Sequence, residues 1–76
     1  MNLKEGFGRR LKAIRESQGM TQDRLAELAD STRDTIRNIE SGKHAPRFGL
    51  FERIITALEV HPRDLFDFPW PQRKRR

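Results

Sequence analysis

The stretch MTQDRLAELADSTRDTIRNIESG, residues 20–42, decides the fold of this chain. It holds two short helical patterns on either side of Asp30 and Ser31. Thr21 opens the first as an N-cap, and Asp23 suits the positive end of the helix dipole. Leu25, Ala26, Leu28 and Ala29 supply its expected buried face, with alanines small enough for close helix crossing. Asp30 ends it as one of the few non-glycine residues that tolerate left-handed backbone. Thr32 caps the next helix, which runs to about Ser41 and is closed by Gly42.

A turn this tight makes the two helices cross steeply and pushes the second outward, the geometry of a helix-turn-helix. On a helical wheel with Arg33 at zero, Arg37, Ser41, Asp34 and Asn38 fall at about 40°, 80°, 100° and 140°. Ile39 and Ile36 fall opposite, near 240° and 300°. The polar stripe has two readings. It is an ordinary solvated face, or it is a face that reads bases. Arginine can bond guanine O6 and N7, asparagine can bond adenine, and aspartate can accept from cytosine N4. The helix-turn-helix pattern favours the second. Glu40 sits near 340°, at the margin of the apolar stripe and at the negative end of its helix, so it calls for a cation. Arg15, at the margin of another apolar arc, is the candidate; an exposed Glu40 without a fixed partner is the alternative.

Outward from this core, Leu3, Phe7, Leu11 and Ile14 recur at helical spacing and predict a first helix that Gly19 stops. Gly6 and Gly8 cost such a helix ~1 kcal/mol each, and Gly8 is expected to admit a close neighbour. Lys43 to Arg47 reads as a loop. Phe51, Ile54, Ile55 and Leu58 predict a fourth helix, and Pro62 with Asp64 opens a short fifth that buries Leu65 and Phe66. Residues 1–68 are expected to form one domain. Residues 69–76 read as a Pro/Trp and basic tail, flexible from Gln72.

Composition narrows the function classes. The chain has 76 residues and no cysteine, which excludes disulfide staples and thiolate metal sites and fits a cytoplasmic location. No apolar run approaches the ~20 residues of a membrane span, and no secretory leader is visible. His44 and His61 lack metal-binding spacing, so no metal and no cofactor are expected. No nucleophile elbow or phosphate-cradling glycine loop is present, which argues against an enzyme. The net charge is +5, yet Arg73, Lys74, Arg75 and Arg76 hold most of it. The other seventy-two residues carry twelve basic and eleven acidic side chains, so the placement of charge matters more than its sum.

Taken together, LKAIR (11–15), TQDRLA (21–26) and IRNIESG (36–42) resemble the DNA-binding core of the lambda-repressor-like, Cro/C1-type helix-turn-helix proteins, the XRE family. The similarity runs without a gap from FGRRLKAIRESQG (7–19) through ALEVHPRDLF (57–66). It implies an all-α, compact five-helix domain that binds double-stranded DNA, usually as a dimer. By that resemblance Arg33, Asp34, Arg37 and Asn38 match base-facing positions. Gln22, Thr35, Ser41 and Lys43 match positions at the sugar-phosphate backbone, and the basic Arg47 is grouped with them. Arg15 and Glu40 match an ion pair between the first and third helices. The chain departs from the family at the turn, with Asp30 where glycine is favoured and Ser31 where a small apolar residue is commoner. His61 stands where a Ser or Asp cap is commoner.

The resemblance implies a sequence-specific transcription regulator, a repressor on a two-fold operator, acting as a homodimer. Leu65, Phe68 and Trp70 are the candidate dimer residues; Phe68 and Trp70 alternatively pack back on the domain. The rival reading is an antitoxin-type module that neutralises a toxin and autoregulates its operon. RNA binding is disfavoured for want of an aromatic stacking platform.

Overall fold

The structure is a computed structural model, and it describes residues 2–71. Four α-helices run α1 Leu3–Ser17, α2 Gln22–Leu28, α3 Arg33–Glu40 and α4 Phe48–Leu58, followed by a 3-10 helix at Pro62–Phe66. No strand occurs among the described residues. The expected fifth α-helix is therefore a 3-10 turn. Pro69 disfavours helical backbone at Phe68, which leaves too few residues for an α-helix to establish itself. His61 starts the turn. Its Nδ1 accepts from Arg63 N–H at 3.1 Å, and its own N–H donates to Asp64 Oδ2 at 3.0 Å. The imidazole thus replaces the commoner Ser or Asp cap.

Side chains cap the starts of α1, α2 and α3. Asn2 and Glu5 form a reciprocal capping box at α1. Thr21 Oγ1 accepts from Arg24 N–H at 3.0 Å, and Thr32 Oγ1 accepts from Thr35 N–H at 3.1 Å. Between α2 and α3, Asp30 adopts φ 52°, the left-handed turn that the family usually assigns to glycine. Arg53 of α4 donates to the Ala29 carbonyl at 2.7 Å, closing the end of α2.

The core consists of Phe7, Leu11 and Ile14 from α1, Leu25, Ala26 and Ala29 around α2, Ile36 and Ile39 from α3, Ile54 and Leu58 from α4, and Leu65. At Gly8, a Cβ would overlap the carbonyl oxygens of Ile39 and Glu40, so the missing side chain is what lets α1 lie against the end of α3. At Gly6, a Cβ would overlap the Phe68 ring, which packs back onto α1.

Four apolar expectations change. Leu28 is 42% exposed; it lies about 60° outside the arc of Leu25, Ala26 and Ala29 that faces the core. Leu3 is half exposed at the start of α1, and Phe66 is 43% exposed at the end of the 3-10 helix. Leu65, expected to bury on the last helix and also a candidate for the dimer surface, is wholly buried within the chain. It anchors the 3-10 helix and has no surface to offer a second copy. Gln72 and the basic run Arg73 to Arg76 lie outside the described residues.

Candidate nucleic-acid interface

The two faces of α3 are chemically separate. Ile36, Ile39 and Glu40 are buried, whereas Arg33, Asp34, Arg37 and Ser41 are exposed and Asn38 and Thr35 are half-buried. The helix therefore rests on its apolar side and presents the Arg-Asp-Arg-Asn stripe outward.

What fixes α3 in place is a dry ionic contact. Arg15 Nε donates to Glu40 Oε2 at 2.6 Å and Nη2 to Oε1 at 3.0 Å, with the two side chains 8% and 3% exposed. Arg15 Nη1 also donates to the Met20 carbonyl at 2.7 Å, at the entrance to α2. The forked guanidinium thus ties α1, the α1–α2 turn and α3 together. The Glu40 hydrogen bond pushes the Arg15 pKa above its usual range, outweighing the opposite effect of burial, so this cation stays charged. Gln22 adds the third helix: its Nε2 donates to Glu40 Oε1 at 3.0 Å.

The exposed cations of the stripe have acidic partners. Arg33 Nη1 lies 3.6 Å from Asp23 Oδ2 on α2, and Arg37 pairs with Asp34 one turn away. Exposed pairs of this kind contribute ~0–1 kcal/mol to the fold. Asn38 has a different setting. With Thr35 it lines a hollow whose other walls include Ile39, Leu50, His44, Arg47 and Arg53.

The residues expected at the DNA backbone spread around this stripe. Gln22 stands at the first turn of α2, sharing a small depression with Arg37, Ser41 and Lys12. Ser41 Oγ donates to the Asn38 carbonyl at 3.1 Å, and the same carbonyl accepts from Lys43 N–H at 3.0 Å. Lys43 and Arg47 are exposed, and Arg47 precedes α4 without a side-chain capping bond. Lys12, His44 and Arg53 join these residues, although the sequence pattern does not single them out. Lys12 and Arg53 reach this face through the packing of α1 and α4, and His44 comes from the loop between α3 and α4.

Across Ala45 and Pro46 from the hollow beside Asn38, a largely apolar groove is lined by Leu3, Phe7, Phe48, Phe51 and Phe66, and a further hollow by Leu3, Phe66, Phe68 and Trp70. Phe48 is 88% exposed, and the Phe68 and Trp70 rings meet edge-on at 6.4 Å. Among the described residues, no cluster of three or more His, Cys, Asp or Glu could hold a metal ion, and no helix is long and apolar enough to cross a membrane.

The model of a family described as "Helix-turn-helix domain" matches residues 7–68. Control protein C.BamHI of Bacillus amyloliquefaciens is 38% identical over 68 residues, covering 88% of this chain and 84% of that protein. The crystal structure of the restriction-modification controller protein C.AhdI of Aeromonas hydrophila superposes with a TM-score of 0.80 at 32% identity, over 83% of this chain and 91% of that one. C.Esp1396I, solved bound to a 25 base pair operator site, superposes with a TM-score of 0.77 at 30% identity, over 88% of each chain.

Proposed function

The chain belongs to this helix-turn-helix family, of the Cro/C1 type, and on that premise we propose that it is a sequence-specific, double-stranded-DNA-binding transcription regulator acting as a homodimer on a two-fold operator. The observation that carries the reading is the split of α3: its apolar and ionic side is buried, and its Arg33, Asp34, Arg37 and Asn38 side faces out. Those four residues read base edges. Gln22, Thr35, Ser41, Lys43 and Arg47 hold the sugar-phosphate backbone. The operator complex of C.Esp1396I supports DNA as the ligand. Kinship with control proteins favours direct regulation over the antitoxin reading.

A reading helix of eight residues covers few base pairs, so useful specificity needs two of them. The exposed apolar face of Leu3, Phe48, Phe66 and Trp70 is the surface by which a second copy docks, with Phe68 at its edge.

Selection of bound sequences from a random duplex pool, followed by sedimentation on the selected site, tests the reading. The expected result is a two-fold site with half-sites ~34 Å apart, occupied by two chains. Its affinity falls with salt at a slope of about −0.9 per neutralised phosphate. A pool that never converges, or a monomer both free and on the selected duplex, overturns it.

A further inference from the structure

The base-reading stripe carries a carboxylate from outside its own helix. Asp23 Oδ2 of α2 stands 3.6 Å from Arg33 Nη1, with both side chains more than half exposed. A free carboxylate beside a DNA-binding surface repels phosphate, so this placement weakens general attraction to the duplex. Its stabilising effect on the fold as an exposed pair is small. Asp23 already suits the first turn of α2, and its pairing with Arg33 adds little further to folding.

Its geometry supplies a benefit of another kind. Arg33 is the first residue of α3, at the end nearest the turn. An arginine there has many rotamers and competing phosphates within its reach. To read guanine it must present one planar edge to O6 and N7. Asp23 Oδ2 sits within ion-pair distance of one arm of the fork, Nη1, from the side of α2, and the Arg33 side chain as a whole stays exposed. The neighbouring cation, Arg24, is paired with Glu27 on its own helix, so it does not draw Asp23 away.

We propose that Asp23 is a positioning residue for Arg33: it orients the guanidinium for base reading and keeps it from acting as a phosphate clamp. Asp23 touches no base. It exchanges general affinity for discrimination, a repulsive element serving specificity. This inference rests on the reading of α3 as the base-reading helix.

The test uses the whole chain, with Asp23→Asn, Asp23→Glu, Arg33→Ala and the double variant Asp23→Asn/Arg33→Ala. Affinities are measured for the selected duplex, for each single base-pair replacement in it, and for a random duplex. The readout is a ratio of affinities of the same folded protein, so any small stability change cancels. Asp23→Asn should lower discrimination by about two- to fivefold, the weight of an exposed ion pair, and only at the base pair to which Arg33→Ala becomes indifferent. It should bind the random duplex more tightly than the parent. Asp23→Glu should restore discrimination, and Asp23→Asn should change no ratio when Arg33 is already alanine.

An Asp23→Asn effect that is the same factor on every duplex, or one that persists in the Arg33→Ala background, or no effect at all, overturns the inference while leaving the function intact. A parent protein that selects no sequence overturns both.

Discussion

The two faces of α3 lie about 10 Å apart across a single helix and work in different ways. On the inner face, Ile36, Ile39 and Glu40 are enclosed, and Glu40 meets Arg15 with water excluded. On the outer face, Arg33 and Arg37 keep exposed acidic partners. Both faces use arginine-carboxylate pairs, yet the pairs have opposite consequences. A buried pair that loses one partner strands a charge, so it fixes position. An exposed pair loses little on separation, so Arg37 is free to give up Asp34 for another partner. The comparison teaches that one eight-residue helix can be rigid and exchangeable at once, provided solvent divides its faces.

The largest break in this comparison comes from the inner pair. Glu40→Ala leaves Arg15 buried without its carboxylate and releases Gln22, and should cost ~3–5 kcal/mol, read from the denaturant midpoint. A domain of this size has only a few kcal/mol in hand, so the variant should be largely unfolded near body temperature. A Glu40→Ala protein that melts with the parent would show the pair to be dispensable. A somewhat smaller loss follows from Ile39→Ala, which empties part of the core behind Asn38 and should cost ~2–5 kcal/mol. Its DNA affinity should fall only by the unfolded fraction, with base preference kept at every position. A folded Ile39→Ala protein with altered base preference would mean that the inner face also tunes the reading.

Much of this division was legible in the sequence, because it is local. Eight residues at a fixed angular step suffice to set Ile36 and Ile39 against Arg33, Asp34, Arg37 and Asn38. Glu40 announced its need for a cation by standing at the wrong end of its helix and at the edge of an apolar stripe. Caps were legible for the same reason at Thr21 and Thr32, and the left-handed Asp30 followed from the tightness of the turn.

What stayed hidden depends on how helices cross. Leu28 continues the apolar pattern of α2, but the core meets too narrow an arc to enclose it. Leu65 and Phe66 are neighbours of similar hydrophobicity, and only the seating of the 3-10 helix decides that Leu65 goes in and Phe66 stays out. Phe48 lies before the periodic stretch of α4, and no pattern foretells its exposure. Asp23 and Arg33 are ten positions apart on different helices, so their approach is a product of the α2–α3 angle. Lys12 reaches the Gln22 and Ser41 depression for the same kind of reason.

The smallest expected disturbance to the fold gives the most direct test of the division. Asn38 is uncharged, half-buried, and adjacent in sequence to the enclosed Ile39. The measurement is the base-preference profile of Asn38→Ala on the selected operator, taken with its melting curve. The account predicts an unchanged melt, a loss of ~1–3 kcal/mol of discrimination confined to one or two base pairs, and nearly unchanged binding to random duplex. A profile identical to the parent's in a folded Asn38→Ala protein, or a variant that unfolds, would contradict the assignment of this face of α3 to reading DNA.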